Sequence, residues 1–247
     1  MMSRADVREV ILVVGAGEGR GGAVATRFAR GGYTAVVTRR KLDRLTGLVE
    51  RLRSEDLAVH PFALDPRIED EVVTLFADVE RDIGPLAVVV FNIGPNVQYP
   101  IVETTSRVYR KIWELATYAG FLTGREAARH MVPRRSGSIF FTGATASLRG
   151  GSGFAAFAGA KFALRALAQS MARELGPQGI HVAHSVIDGP IDTAFIREHR
   201  RDLLETRPLK SNLLDPNDIA EAYWSVHKQP RSAWSFEFDL RPWAEPW

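Results

Sequence analysis

The segment with the clearest chemical potential is Gly15-Ala16-Gly17-Glu18-Gly19-Arg20-Gly21-Gly22, which follows the apolar run Val10–Val14. Glycines admit positive φ, and without side chains their backbone N–H groups can approach an oxyanion closely. A glycine turn that leads from a strand into a helix N-terminus is an anion site, and phosphate is its usual ligand. The alternative is a tight strand-to-helix turn with no ligand, and the alternation of elements described below favours the ligand. A second cationic segment is Thr38-Arg39-Arg40-Lys41. Arginine grips phosphate with two parallel charge-assisted bonds, although a solvated basic turn would read the same way. Other chemistries are excluded or weak. The chain has no cysteine, which excludes a thiol nucleophile, a disulfide and a Cys-ligated metal. His181 and His184, three apart on a strand, face opposite sides and cannot chelate one metal together. No metal site is expected.

Elements able to position these residues alternate along the chain. Strands are expected at Val10–Val14, Tyr33–Thr38, Leu57–Leu64, Leu86–Phe91, Ser138–Thr142, Ile180–Ile187 and Trp234–Leu240. Helices are expected at Gly21–Arg30, Lys41–Arg53, Ile68–Ile83, Ser106–Val132 and Phe154–Leu175, and from Asp215-Pro216 to about Lys228. Asp215 there resembles an N-cap followed by Pro at the first helical position. Repeated βα alternation predicts an α/β fold: a single doubly wound domain over 1–247, with a mostly parallel seven-stranded sheet built by right-handed crossovers. Such sheets bind ligands beyond the carboxyl ends of their strands, where the strand order reverses.

The spacing Gly15-x-x-x-Gly19-x-Gly21 resembles the Thr-Gly-x-x-x-Gly-x-Gly loop of the short-chain dehydrogenase/reductase family, a Rossmann-type fold. Three further landmarks resemble that family in the right order. Phe91-Asn92-Ile93-Gly94 stands where the family has Asn-Asn-Ala-Gly. Phe157-Ala158-Gly159-Ala160-Lys161 stands where it has Tyr-x-x-x-Lys. Asp188-Gly189-Pro190-Ile191-Asp192-Thr193 stands where it has a Pro-Gly turn followed by threonine. The resemblance implies a nicotinamide dinucleotide. Arg39 and Arg40, in place of an acidic residue after the second strand, point to NADP, with NAD as the alternative. Glu18 counts against this and is expected to pair with Arg39 or Arg40. Asp65 matches the family's acidic residue near the adenine, or caps the following helix. The resemblance puts Asn92 and Gly94 on the ribose side of the cofactor. It puts Gly189, Ile191 and Thr193 at its carboxamide and pyrophosphate end. Residues 191–212, with Arg197, His199, Arg200, Arg201 and Arg207, would be a substrate lid whose charge suits an anion.

The same resemblance implies hydride transfer coupled to proton transfer by a Tyr, with a Lys, a Ser and an Asn in support. Here the tyrosine position is Phe157, the serine position thirteen residues earlier is Ala144, and the asparagine position is Thr117. Of that set only Lys161 remains, and the family also uses this lysine to bind the nicotinamide ribose. Substitute groups near in sequence are Thr142, Thr145, Ser147 and Ser152, and the nearest phenols in candidate active-site segments are Tyr99 and Tyr118. A water beside Lys161 ranks above each of them as a proton relay. The expectation is therefore an NADP(H)-binding oxidoreductase acting, if at all, on a small carbonyl or alcohol with a non-standard proton source. The alternative is a catalytically silent cofactor-binding sensor or partner subunit.

Composition narrows the partners. Of 247 residues, 45% are hydrophobic and 25% charged, as in ordinary globular proteins. Lys plus Arg number 32 and Asp plus Glu 29, so the net charge of +3 does not advertise nucleic-acid binding. No apolar run approaches the ~18 residues of a membrane span, and no signal peptide is apparent at the start. The expected setting is cytoplasmic, with a small-molecule substrate of unspecified identity, no nucleic acid and no membrane. A homodimer or homotetramer through the helices Ser106–Val132 and Phe154–Leu175 is implied by the resemblance. Trp243 and Trp247 in the Pro-rich tail are expected to dock on this subunit or a neighbour.

Overall fold

The computed structural model describes residues 8–199 and 213–244. Seven strands form one sheet: β1 (Val10–Val14), β2 (Thr34–Arg39), β3 (Val59–Ala63), β4 (Leu86–Phe91), β5 (Ser138–Thr142), β6 (His181–Ile187) and β7 (Glu237–Leu240). Their order is β3-β2-β1-β4-β5-β6-β7. Every pairing is parallel, including β6 with β7. The sheet is thus wholly rather than mostly parallel, because a helix crosses over before the last strand. β1 and β4 are apolar runs, and β5 is apolar at its centre, because both of their faces are covered.

Helices α1 (Arg20–Arg30), α2 (Thr46–Ser54) and α8 (Pro216–His227) cover one face, with Phe28, Leu48, Leu52 and Tyr223 in its core. Helices α3 (Glu69–Asp78), α5 (Ala119–Met131) and α6 (Ala155–Leu175) cover the other, around Phe76, Phe91, Leu122, Phe141 and Leu164. Short helices α4 (Ser106–Trp113) and α7 (Ala194–His199) complete the set among the described residues. Asp215 caps α8 as its sequence suggests, accepting from Asn217 N at 2.7 Å.

Several expected elements are corrected. The helix expected over Ser106–Val132 is interrupted by a π turn at Glu114–Tyr118, which separates α4 from α5. Periodicity does not reveal one extra residue per turn. The Lys41–Arg53 segment opens as a 3-10 turn, Leu42–Leu45, and the Ile68–Ile83 segment closes as a π turn, Val79–Ile83. In Trp234–Leu240, only Glu237–Leu240 pairs with β6.

In-register pairing brings the strand ends to one level. Asn92 N donates to Val14 O (2.9 Å), Ala16 N to Thr38 O (3.0 Å), and Gly143 N to Ser185 O (2.7 Å). The order reverses between β1 and β4, so the crevice of the doubly wound fold opens at Gly15 and Asn92.

Candidate functional site

The glycine loop is shaped by what lies against it. Gly15 has φ +93°, a conformation that favours glycine, and a Cβ there would stand 2.6 Å from Ile93 Cγ1. Asn92 stitches the loop to β4, its Nδ2 donating to Gly15 O at 3.0 Å. Helix α1 begins after Gly19 with no side-chain cap and no acid in its first turn. Its first N–H groups are therefore available to an anion. The Thr193 methyl lies 3.2 Å from where a Cβ of Gly19 would stand, so the turn after β6 covers the loop. In that turn Gly189 packs against Pro242, and Ile191 bridges to Leu214.

Arg39, at the end of β2, reaches back over the loop. Its Nη1 would be 2.7 Å from a Cβ on Gly17. The expected pairing of Glu18 with Arg39 or Arg40 does not occur. Glu18 passes over Gly47 of α2, where no side chain obstructs it, and meets Arg51 one turn further on at 2.8 Å. Arg39 and Arg40 remain without a carboxylate partner among the described residues. Asp65 is not a helix cap either, since the N-cap position of α3 is Ile68. Instead Arg67 holds Asp65 through Nε (2.8 Å) and Nη2 (2.5 Å). These bonds, ahead of the more distant Arg40, keep the Asp65 carboxyl below the usual range.

On the other side of the crevice, Lys161 of α6 is 2% exposed. Its Nζ donates to Thr142 O at 2.7 Å and to Ile93 O at 3.1 Å. Burial, and next the nearby Arg20 cation, pull its pKa down to about 7. A Cβ on Gly94 would lie 2.8 Å from Lys161 Nζ and 3.7 Å from Phe157 Cε2, so this glycine makes room for both side chains. Phe157 is buried one helical turn before Lys161. Ala144 follows β5, with its N–H donating to Ser147 Oγ at 3.2 Å. Thr117, carried by the π turn, donates to Ala160 O at 2.8 Å and so ties that turn to α6. The hydroxyls considered as substitutes mostly have local partners. Thr142 bonds Tyr223, Thr145 bonds Asp188, and Ser147 bonds Ala144. Tyr118 stacks on Trp113, while Tyr99 and Ser152 are exposed.

Two residues in or beside the site escaped the sequence reading, and a third, His184, was read there only as a metal ligand to be excluded. Arg20 donates from Nε to Asn92 Oδ1 at 2.6 Å; its signal was a cation inside a glycine loop. Tyr223 is fully buried, bonded to Thr142 and Ser185 beneath the strand ends, and had no signal. His184 is also buried, its Nδ1 2.9 Å from Glu237 Oε2, with desolvation holding its pKa down to about 4. His181 faces the opposite side as expected, stacked on Trp234. In the lid segment, Arg197 is engaged by Asp192 at 2.5 Å, so its charge is not free for a substrate anion. Arg200, Arg201 and Arg207 lie outside the described residues, as does Trp247. Trp243 is 87% exposed, which overturns its docking on this subunit.

Fold and crevice together define an α/β protein of the Rossmann class with a phosphate-type glycine loop. The short chain dehydrogenase family model matches residues 9–204. The chain therefore belongs to the short-chain dehydrogenase family of NAD(P)-dependent oxidoreductases. A short-chain dehydrogenase structure from Rhodopseudomonas palustris is 46% identical, with TM-score 0.82, covering 95% of this chain and 99% of that one. A short-chain dehydrogenase/reductase of Armillaria gallica is 31% identical over 74% of this chain and 71% of its own length. Gluconate 5-dehydrogenase of Gluconobacter oxydans is 29% identical over 69% of this chain and 67% of its own. At 20% identity, a metagenomic short-chain oxidoreductase solved with NADP shares the fold, with TM-score 0.78. Among the described residues no helix is long and apolar enough to cross a membrane.

Proposed function

We propose that the protein binds NADP(H) and transfers hydride to or from a small carbonyl or alcohol, with a proton source other than the family's tyrosine. The cofactor fit rests on the uncapped N-terminus of α1 and on a loop whose Gly15 a Cβ would block. When bound, the dinucleotide would supply the hydride in its reduced form or accept it in its oxidised form. Gly15, Gly19, Gly21, Gly189, Ile191 and Thr193 would cradle it. Arg39 and Arg40 would hold the 2′-phosphate, Asp65 would sit toward the adenine, and Asn92 and Gly94 would border the ribose. Lys161 would bind ribose hydroxyls and hold a water that exchanges the substrate's proton.

The observation that carries this proposal is the convergence of Lys161, Phe157 and Gly94. Lys161 has three N–H donors when charged, and two are spent on Thr142 O and Ile93 O. The third is left for a water or a ribose hydroxyl. A phenyl ring has no proton to give, so the proton has to come from that neighbourhood.

The alternative, a cofactor-binding sensor or partner subunit without turnover, is favoured by Phe157 and by the Thr117 hydroxyl, which Ala160 O engages. Titration with NADPH and NADH, followed by single-turnover hydride transfer to a panel of carbonyls, separates the two. Keto sugar acids belong in that panel, because relatives are named gluconate 5-dehydrogenase and 5-keto-D-gluconate 5-reductase. Transfer to any substrate supports the enzyme, and tight binding with none supports the sensor. Absence of cysteine suits a cytoplasmic setting. We further propose a homodimer or homotetramer, since Tyr109, Trp113, Phe121 and Phe162 expose apolar surface on α4, α5 and α6. Neither nucleic acid nor membrane is proposed as a partner.

A further inference from the structure

The crevice holds a cation that neither the glycine motif nor the positions matching the family's Tyr, Lys, Ser and Asn explain. Arg20 is the first residue of α1 and is partly buried. Its Nε donates to Asn92 Oδ1 at 2.6 Å, and Asn92 Nδ2 donates in turn to Gly15 O at 3.0 Å. This chain pins the guanidinium between the ends of β1 and β4, where the strand order reverses. Its two Nη groups make no hydrogen bond among the described residues and are not sealed from solvent. No carboxylate there lies within ion-pair distance of Arg20. Asp188, just after β6, is engaged by Thr145 and Arg241, and Glu237 of β7 by Arg165 and His184.

Lys161 reaches the next residue along the chain, donating to Ile93 O at 3.1 Å. Arg20 and Lys161 thus meet at Asn92-Ile93 as two cations with no carboxylate within ion-pair distance among the described residues. A partly buried charge without a partner is unfavourable. The lysine can relieve the repulsion by releasing its proton, and its pKa is indeed lowered, by burial and then by Arg20. The arginine cannot do so, because a guanidinium remains charged at any ordinary pH. The remaining positive charge calls for an oxyanion. With Nε held by Asn92, the free edge of the fork is the Nη pair, which suits two oxygens of a phosphate. The uncapped first turn of α1 offers its N–H groups beside it.

We propose that Arg20 is a binding residue for the diphosphate bridge of the dinucleotide, adding a fixed cation where the loop otherwise offers only backbone N–H groups. This assignment presupposes the dinucleotide proposed above. It also makes Asn92 the residue that orients the guanidinium.

The test is calorimetric titration of the full chain and of Arg20→Leu and Arg20→Lys. The ligands are NADPH and adenosine 2′-monophosphate, which has the 2′-phosphate but neither phosphate of the diphosphate bridge. Loss of a charge-assisted bond predicts NADPH binding weaker by about 10–100-fold in Arg20→Leu. Arg20→Lys should recover part of that loss, and adenosine 2′-monophosphate should bind all three proteins alike. Circular dichroism melts verify folding, and Arg20→Lys keeps the test open if the leucine variant does not fold. Equal NADPH affinity in wild type and both variants would overturn the assignment while leaving the cofactor proposal intact. An unchanged NADPH affinity with a raised KM for a carboxylate substrate would also overturn it, by giving Arg20 to a different anion. Failure of wild type to bind either nucleotide would overturn both proposals together.

Discussion

Phe157→Tyr combined with Ala144→Ser restores the two hydroxyls that the family resemblance places at these positions. The Phe157 ring has its Cε2 3.7 Å from the point where a Gly94 Cβ would stand, and Lys161 Nζ lies 2.8 Å from that same point. A phenol built on this ring would therefore project near the ammonium, whose positive charge favours the phenolate. A positioned acid contributes roughly 10²–10⁴-fold and a single oxyanion donor roughly 10²–10³-fold. The two act as a unit, so their product is an upper bound, and we expect a gain of about 10²–10⁴-fold. The new hydroxyl enters a buried position, so a loss of about 1–3 kcal/mol in stability is expected if it finds no partner. The assay is single-turnover oxidation of NADPH by carbonyl substrates, followed by nicotinamide absorbance. A double variant that binds NADPH like wild type, melts cooperatively and still transfers no hydride faster would refute the idea that only the proton donor is missing.

Three further outcomes are expected. Arg39→Ala should weaken NADPH by about 10-fold or more while leaving NADH unchanged, because Arg39 lies over Gly17 without a carboxylate partner; equal losses for both coenzymes would argue against a 2′-phosphate contact. Lys161 titrates near 10.5 when unfolded and near 7 when folded, so between those values the unfolded chain binds more protons and stability should rise with pH. That contribution is complete above about 10.5 and lost as pH falls through about 7; denaturant melts of Lys161→Met should show a flatter profile there, and an unaltered slope would contradict the assignment. Gly15→Ala combines a positive φ with a 2.6 Å approach to Ile93, so a loss of more than about 1 kcal/mol and weakened nucleotide binding are expected; a neutral melt would mean the loop relaxes freely.

Much of the fold was legible because alternating apolar runs and helical periods leave few ways to bury both faces of a parallel sheet. β1, β4 and β5 lie where their apolar runs predict. The π turn at Glu114–Tyr118 was not legible, since an extra residue in one turn leaves the surrounding period intact. The site divides in the same way. Gly15, Asn92, Gly94 and Lys161 were indicated by the family resemblance, and the fold brings them to one crevice. The partner of Glu18 could not, because whether it meets Arg39 or Arg51 depends on how α2 packs over the loop. The same limit applied to Asp65, where Arg67 reached the carboxylate.

By itself the amino-acid order determined the class of fold, the glycine loop and the absence of a hydroxyl at positions 144 and 157. These are properties of residue type and periodicity, which act locally. Tertiary structure alone decided which charges meet and which stay unpaired. Arg51 neutralises Glu18 and Asp192 neutralises Arg197, while Arg20 and Lys161 face one crevice without an ion-paired carboxylate among the described residues. Electrostatic interactions depend on separation and burial in space, and residues 20 and 161 become neighbours only when α1 and α6 dock on opposite faces of the sheet.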